Sequence, residues 1–268
     1  MLIFLRFIQV VFFIPAVTSF THSTKLKLNH GSRLSIVNRS PSGSSLQNEL
    51  SGRGSVVLSM AVPAADVKIR TSEMNWMVVP DIWESMAKII PDKVMLVDPV
   101  HGDRVDLTYA QCNNLITTGA AAMQKLGLQP DECVSIFSEN SYKWLIADQA
   151  VMKSGACNSV RGALAPTEEL HYIYEDSKSV GLIVESPNLL QQLFSPTDSD
   201  NNLAKSSISP RFAIVLFSRG MNGTELAAAA GVPSSVNVLS YEEWLASASK
   251  EEFKSVPRDP KYVLLLCL

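Results

Sequence analysis

Short strand-like segments alternate with helical segments between residues 81 and 184, and this alternation constrains the fold more than any other feature. The predicted strands are "CVSIFS", "CNSVRG" and "VGLIVE", and the first and last are apolar runs of the kind buried on both faces of a sheet. Helical patterns of about a dozen residues or more separate them, which is the length that a crossover between parallel strands needs. The sequence therefore predicts an α/β fold, a mostly parallel sheet with helices on both faces.

Two pairs of residues in capping-box spacing mark helix starts in this region. Asp81 and Glu84 open the helical segment "DIWESMAKII", and Thr108 and Gln111 open the longest helical pattern of the chain. Gly127 follows the last apolar position of that longer pattern, where glycine commonly ends a helix. Both segments are therefore predicted to be helices with defined ends.

The segment between these two helices predicts a β-hairpin. "VMLVD" and "VDLTY" alternate as strands do, and Gly102 lies in the turn between them. His101 stands beside that glycine, and the sequence predicts a turn histidine there rather than a ligand.

The later part of the body continues the same pattern around one polar loop. The helix "NSYKWLIADQAVMKSGA" is predicted to be amphipathic, with Trp144, Ile146–Ala147 and Val151 facing inward. Residues 195–210 are polar with prolines near both ends, and they predict a mobile loop. "FAIVLFS" and "SVNVLSYEEWL" then resume the strand and helix pattern.

The first 60 residues have the composition of targeting segments. Residues 1–19 carry Arg6 and an apolar run too short to span a bilayer comfortably, and Val17 and Ser19 suit a cleavage site, so a signal peptide is predicted; a membrane anchor is the alternative. Residues 20–60 are rich in serine and basic side chains with a single acid, which predicts a disordered, transit-peptide-like segment.

The two blocks in this order resemble the bipartite plastid presequences of algae with secondary plastids. Phe20 at the junction fits that resemblance. A plastid location is therefore expected, with a membrane-associated or endoplasmic-reticulum location as the alternative. The mature domain is expected to cover residues 66–268 and to contain no transmembrane segment.

The charge of the body disfavours nucleic acid as a partner. Of 23 basic and 26 acidic residues in the chain, six basic and one acidic lie in residues 1–60, which leaves 17 basic and 25 acidic residues in the remainder. A body with this acidic excess would repel a phosphate backbone.

No reactive constellation is recognisable in the spacing of the residues. The four cysteines (Cys112, Cys133, Cys157 and Cys267) form no CxxC pair and are expected to be free, buried thiols. The chain contains no GxxxxGK[ST], GxGxxG, HExxH or GxSxG motif. His171 is expected on a helix surface, and Glu168–Glu169 in the first turn of a helix, where acids favour the helix dipole. No catalytic, cofactor-binding or metal-binding residue is therefore assigned.

One long stretch carries a family resemblance. From Leu107 to Val184 the pieces "LTYAQ", "PDECVSIFSENSYKWLIADQAVMKSGA" and "ELHYIYEDSKSVGLIVE" follow in order, and together they resemble the N-terminal subdomain of adenylate-forming enzymes, the AMP-binding acyl ligases. "NSVRG" with the following "EEL" resembles the plant and algal plastid enzymes that ligate long-chain fatty acids to acyl carrier protein. The resemblance implies the N-terminal subdomain of the adenylate-forming fold.

The same resemblance implies a two-step reaction for a full-length enzyme. A fatty carboxylate attacks the α-phosphate of ATP to give acyl-AMP, and a thiol of coenzyme A or of acyl carrier protein then displaces AMP. ATP and Mg²⁺ are the implied cofactors, held by a glycine- and hydroxyl-rich loop, a later acidic motif and a lysine of a mobile C-terminal domain. None of these motifs is found in this sequence, so none of the family's catalytic residues is carried over.

The resemblance also implies that the final segment, "RDPKYVLLLCL", is the strand that precedes the phosphate loop in the family. Asp259–Pro260 is the expected turn and Tyr262–Leu266 the expected strand.

The leading expectation is an N-terminal part of a long-chain fatty acid ligase, incomplete at its C-terminus and inactive alone. A non-catalytic short form that binds an acyl group or a partner is the alternative, and a free-standing nucleotide-binding domain is disfavoured because no phosphate-binding glycine loop is present. Packing and buried hydrogen bonds are the expected roles of Trp144, Asp148 and Arg161.

Overall fold

The structure is a computed structural model that describes residues 24–29, 33–38, 76–195, 208–257 and 265–267. The chain divides into two compact units, Met1–Val67 and Lys68–Leu268. In the first unit, strands β1 (Thr24–Asn29) and β2 (Arg33–Asn38) pair in antiparallel register. The rest of the predicted signal and transit segments (1–19 and 20–60) lies outside the described residues, so targeting stays a prediction.

A six-stranded parallel sheet forms the centre of the second unit. Its strands are β5 (Cys133–Phe137), β6 (Cys157–Arg161), β7 (Gly181–Val184), β8 (Phe212–Val215), β9 (Asn237–Ser240) and β10 (Leu265–Cys267). Their spatial order is β10-β6-β5-β7-β8-β9, and every pair of neighbours is parallel. All carboxyl ends of these strands therefore meet at one edge of the sheet, called here the carboxyl edge.

Helices alternate with these strands along the chain, as predicted. They are α1 (Asp81–Ile89), α2 (Tyr109–Lys125), α3 (Tyr142–Lys153), α4 (Thr167–Asp176), α5 (Pro187–Phe194), α6 (Gly223–Ala230) and α7 (Tyr241–Ala246), with a short 3₁₀ helix at Lys250–Glu252. Helices α4, α5 and α6 share one apolar core with the strands, formed by residues such as Leu170, Leu190 and Leu226. Helices α2, α3 and α7 pack together through Gly119, Ala150 and Trp244.

The predicted hairpin and the start of α2 are confirmed. Strands β3 (Val94–Asp98) and β4 (Val105–Thr108) pair in antiparallel register, and Gly102 has φ +94° in the turn. Thr108 and Gln111 form the reciprocal hydrogen bonds of a capping box, and Gly127 has φ +81° just beyond the helix end.

The predicted capping box of α1 is wrong. Pro80 is the N-cap and makes no side-chain cap, and Asp81 is already the first helical residue. The Asp81 carboxylate instead turns back to accept hydrogen bonds from the backbone N–H groups of Met77 and Val78, at 3.0 and 3.1 Å. Glu84 pairs with Lys88 one turn along the helix, at 2.7 Å. Asp81 and Glu84 have the spacing of a capping box, but such a box requires Asp81 to be the N-cap. The helix starts at Asp81 itself, one residue earlier than that arrangement allows.

Helix α3 is not amphipathic, so the prediction of an amphipathic helix for "NSYKWLIADQAVMKSGA" is wrong in that respect. Its polar residues Lys143, Asp148, Gln149 and Lys153 are buried together with its apolar ones, whereas Trp144 is only partly buried. The helix contacts the sheet through β5 and β6, and α2 also packs against it. A helix covered in this way needs polar partners for its buried polar groups, and these are described below.

Two short helices, α5 and α6, were not predicted. Each has eight residues, about two turns, and begins at a side-chain cap, Ser186 for α5 and Asn222 for α6. Of the predicted loop 195–210, residues 196–207 lie outside the described part of the chain. None of the helices in the described ranges combines the length and the apolar character needed to cross a membrane.

Candidate functional site

The strand order defines where a ligand site is expected in this fold. Within the order β6-β5-β7-β8-β9 the chain first moves to one side of β5 and then returns to build the other side, so the topological switch point lies between β5 and β7. Open α/β sheets bind ligands at the carboxyl ends of the strands beside such a point. Here the backbone N–H of Glu139, just after β5, donates to the Glu185 carboxylate, just after β7, at 2.7 Å. The Glu185 carboxylate therefore occupies the switch point, and it would repel a phosphate group.

The carboxyl end of β6 carries an ion pair. Arg161 Nε donates to Glu169 Oε1 at 2.7 Å, with both side chains about 40% exposed. The sequence placed Glu168–Glu169 in the first turn of α4 for the helix dipole, and the structure adds this cationic partner for Glu169. Strand β10 lies beside β6 in parallel register, so its carboxyl end lies at the carboxyl edge next to this pair.

A cavity of about 590 Å³ opens at the other end of the same carboxyl edge, where β8 and β9 end. His101 enters it from the turn after β3, and Lys143 enters it from the first turn of α3. Phe217 and Arg219 follow β8, and Glu242 follows β9. The volume lies within the range of small-molecule sites, about 300–1,000 Å³.

His101 is held in the cavity wall by a carboxylate. Its Nδ1 lies 2.9 Å from Asp98 Oδ2, and its ring stacks on Phe217 with a centroid distance of 5.2 Å. Burial raises the pKa of Asp98, but hydrogen bonds from the backbone of Tyr142, Val100 and His101 and from the His101 ring outweigh it, so the pKa lies below its usual value. His101 therefore lies in the turn, as the sequence predicted, but the Asp98 carboxylate and the Phe217 ring hold its side chain in place.

Lys143 closes the floor of the same cavity. Its ammonium donates to the carbonyl oxygen of Leu216 at 2.9 Å and to Glu242 Oε1 at 2.5 Å. The ammonium also lies 4.6 Å from the ring centroid of Tyr241 and 5.1 Å from that of Phe217. Two hydrogen bonds and two aromatic faces thus compensate the burial of this cation.

Side chains of the protein itself satisfy the N-termini of four helices at this edge, whereas α4 has no side-chain cap. Ser141 caps α3, Ser186 caps α5, and Ser240 with Glu243 forms a capping box on α7. Glu243 Oε2 also accepts a hydrogen bond from the backbone N–H of Gly223 at the start of α6, at 2.8 Å. Burial raises the pKa of Glu243, but its hydrogen bonds to Ser240 and Gly223 outweigh that effect and lower it overall. Four N-termini that could bind a phosphate are therefore occupied.

The comparisons with known proteins decide the family. Residues 83–264 match the family described as AMP-binding enzyme, which is more than half of the chain. The chain belongs to the AMP-binding enzyme family. The resemblance deduced from residues 107–184 is thereby confirmed.

Two relatives of this AMP-binding chain and one solved structure illustrate the match. The chain is 38% identical over 154 residues to the chloroplastic long-chain-fatty-acid–acyl-carrier-protein ligase of Arabidopsis thaliana, which covers 58% of the chain and 20% of the relative. It is 31% identical over 96 residues to a long-chain-fatty-acid–CoA ligase of Mycobacterium tuberculosis, which covers 36% of the chain and 16% of the relative. The apo structure of MbtA from Mycobacterium smegmatis superposes with a TM-score of 0.53 at 20% identity, over 70% of this chain and 30% of that one.

These matches confirm the fold class, the N-terminal subdomain of the adenylate-forming enzymes. The AMP-binding chain spans about a fifth of the length of the Arabidopsis ligase it matches. The matched region contains the whole sheet up to β9 together with the cavity and the switch point.

A buried polar network ties α1, α3 and β6 of the AMP-binding chain together. Trp83 Nε1 donates to Gln149 Oε1 at 2.6 Å, and Gln149 Nε2 donates to Asp148 Oδ2 at 2.8 Å. Asn158 Nδ2 donates to Asp148 Oδ1, also at 2.8 Å. Burial raises the pKa of Asp148 to about 6, although both hydrogen bonds lower it. The role expected for Asp148, buried hydrogen bonding, agrees with this geometry.

The remaining residues singled out in the sequence lie apart from the cavity. Trp144 makes no side-chain hydrogen bond within the described residues, although its indole nitrogen is buried. His171 Nε2 lies 3.0 Å from the carbonyl oxygen of Leu193, which joins α4 to α5. Cys112 and Cys133 are buried and Cys157 is partly buried, all as free thiols, whereas the Cys267 side chain lies outside the description. The sequence does not reveal the cavity because its residues come from four separate segments of the chain and share no local spacing.

Proposed function

We propose that this chain forms the N-terminal scaffold of a long-chain fatty acid ligase. In such an enzyme a fatty carboxylate and ATP form acyl-AMP and pyrophosphate, and a thiol then takes the acyl group as a thioester. The observation that carries the proposal is the position of β10. It is a parallel strand beside β6, so its carboxyl end lies at the carboxyl edge, where β6 and β5 separate it from the switch point. This is the position from which a phosphate loop would reach a ligand in an α/β sheet.

The described residues do not fit a complete ATP–Mg²⁺ site. No group of three or more His, Cys, Asp or Glu side chains within the described ranges could hold a metal ion. Four of the five helix N-termini described at the carboxyl edge are capped by side chains, the one without a cap, that of α4, carries Glu168 and Glu169 in its first turn, and the Glu185 carboxylate lies at the switch point. No phosphate-binding glycine loop of the family type occurs in the 268 residues. The contribution proposed for this chain is therefore to fold and to position the sheet, and the chain alone is proposed to be inactive.

The partners proposed for the complete enzyme are a fatty acid and either acyl carrier protein or coenzyme A. One relative is a ligase for acyl carrier protein and the other a ligase for coenzyme A, which supports both acceptors. The plastid is the proposed location, because the Arabidopsis relative is chloroplastic and the first 60 residues have targeting composition.

A chimeric enzyme tests the proposal. Residues 83–264 of this chain would replace the corresponding segment of the Arabidopsis ligase, and fatty-acid-dependent exchange of pyrophosphate into ATP would be measured. The proposal predicts measurable exchange, because the scaffold would position the relative's own phosphate loop. A chimera that unfolds cooperatively but shows no exchange would contradict it. The matched control is the same chimera without the relative's phosphate loop, which should fold and show no exchange.

A further inference from the structure

Two cysteines lie side by side at the amino ends of neighbouring strands. Cys133 is the first residue of β5 and Cys157 is the first residue of β6, and the two are direct partners in the parallel register. Neighbouring strands lie about 4.8 Å apart, and residues directly opposite each other point to the same face of the sheet. This separation falls within the range of about 4.4–6.8 Å between Cα atoms that a disulfide tolerates. The backbone therefore places the two thiols where a bond between them can form.

The surroundings of the two thiols act on them in opposite directions. The hydrogen bond from Cys157 lowers the pKa of the Cys133 thiol to about 7, although burial opposes it. The same contact raises the pKa of Cys157, and burial adds to that effect. One sulfur therefore has thiolate character at neutral pH, while the other keeps its proton.

Cys112 provides the contrast within the same chain. It is buried in α2 with its S–H directed at the Met95 sulfur, 3.6 Å away, and burial raises its pKa to about 12. A thiol of that kind is a poor nucleophile at neutral pH. The reactive thiol character of the described residues is thus concentrated at the Cys133–Cys157 pair.

We propose that Cys133 and Cys157 form an oxidation site that takes small hydroperoxides and closes to a disulfide. The Cys133 thiolate attacks one oxygen of hydrogen peroxide and breaks the O–O bond. Cys133 becomes a sulfenic acid, and the other oxygen leaves as water after taking up a proton. The sulfur of Cys157 then attacks the sulfenic sulfur, which gives the Cys133–Cys157 disulfide and a second water. Two thiols thus lose two electrons and two protons, and one peroxide molecule is reduced to two waters.

The surroundings of the pair favour a small oxidant. Cys133 is 5% exposed, whereas Cys157 is partly exposed at the amino edge of the sheet. A peroxide molecule can reach a nearly buried sulfur more easily than a bulky disulfide reagent can. The disulfide would join β5 and β6 at the edge opposite to the carboxyl edge, away from the switch point.

Peptide mapping after peroxide treatment tests the site. The full chain would be treated with hydrogen peroxide, alkylated and digested without reduction. The proposal predicts a cross-linked pair of peptides containing Cys133 and Cys157, whose mass is two hydrogens less than the sum of the two free peptides. Reduction with dithiothreitol should separate them. Cys112→Ser is the matched control and should form the same disulfide at the same rate. A folded wild type in which peroxide leaves this pair reduced, or links other cysteines instead, would overturn the proposal.

Two single variants separate the roles of the two sulfurs. In Cys157→Ser, the Cys133 sulfenic acid has no resolving thiol and should be trapped by dimedone. In Cys133→Ser, the reaction of Cys157 with peroxide should be slower by about tenfold or more, because the thiolate has been removed. Equal reactivity of the two variants would contradict the assignment. If a variant fails to fold, the pH dependence of Cys133 alkylation in the wild type decides: a midpoint near 7 supports the pair, and a midpoint at or above the usual value of about 8.5 opposes it.

Discussion

Gly119 of α2 lies directly against the indole ring of Trp244 in α7. A Cβ at Gly119 would lie 2.7 Å from Trp244 Cη2 and 2.9 Å from Ala150 Cβ of α3. Trp244 is fully buried, so its ring has no open space to move into. The close approach of three helices thus depends on the missing side chain at one position.

Replacing Gly119 by alanine should destabilise the fold. The helix would gain propensity, but overpacking of a filled core typically costs about 1–3 kcal/mol, so a net loss in the free energy of unfolding is expected. Urea unfolding measures it. Asn114→Ala, at an exposed position of the same helix, is the matched control and should leave stability unchanged or raise it slightly. Equal stability of the Gly119→Ala variant and the wild type would show that the three helices are not packed so closely.

Lys143 should contribute more to stability than its acidic partner does. The Lys143 side chain is 10% exposed and the Glu242 side chain is 61% exposed. Lys143→Met leaves the Leu216 carbonyl oxygen without this donor, a loss of about 1–3 kcal/mol, whereas Glu242→Gln removes only an exposed charge, worth about 1 kcal/mol or less. Urea unfolding of both single variants and of the double variant measures the two effects and their coupling. A larger loss from Glu242→Gln than from Lys143→Met would refute this description of the cavity floor.

Asp148 should make stability depend on pH in one defined window. Its pKa is raised from 3.8 to about 6, so the folded state holds a proton between these values that the unfolded state releases. The wild type should therefore lose stability relative to Asp148→Asn as the pH rises through this window, and the difference should be constant above and below it.

Unfolding by urea at a series of pH values measures that difference. Asp176→Asn, the same substitution at an exposed aspartate, is the matched control for the change from carboxyl to amide itself. A wild type that gains stability over Asp148→Asn as the pH rises would contradict the burial of this carboxyl group.

Glu243 should stabilise the N-terminus of α6 as well as that of α7. Its carboxylate accepts hydrogen bonds from Ser240 and from the backbone of Gly223, whereas Glu225 occupies the equivalent capping-box position of α6 and bonds only to Asn222. Glu243→Gln should cost about 1–2 kcal/mol and accelerate hydrogen exchange at the Gly223 amide. Glu225→Gln is the matched control with a smaller cost. Unchanged exchange at Gly223 in Glu243→Gln would show that the bridge is absent.

Much of the fold follows from local sequence patterns. The strands β5, β7 and β8 were predictable because "GLIV" and "FAIV" are apolar at every position and "CVSIF" at every position except Ser135, as is typical of strands buried on both faces. Helices α5 and α6 were missed because two turns contain too few apolar positions to establish a period. The pair Asn222 and Glu225 was the available signal, since it forms a capping box just before a run of alanines.

The site residues could not be predicted in the same way. His101, Lys143, Phe217 and Glu242 meet only because β3, β8 and β9 end near the start of α3. Their separations in the sequence reflect the lengths of the intervening helices and carry no spacing rule. Cys133 and Cys157 each begin a strand, but their contact depends on the register of β5 and β6, which the sequence pattern does not specify.

The most direct test of the proposed function is fatty-acid-dependent exchange of pyrophosphate into ATP, measured for this chain alone and for the chimera with the Arabidopsis ligase. No exchange is expected from the chain alone, provided that it unfolds cooperatively, and measurable exchange is expected from the chimera. Exchange by the folded chain alone would contradict the proposal that it supplies only the scaffold. A folded chimera without exchange would contradict the proposal that the scaffold is that of a fatty acid ligase.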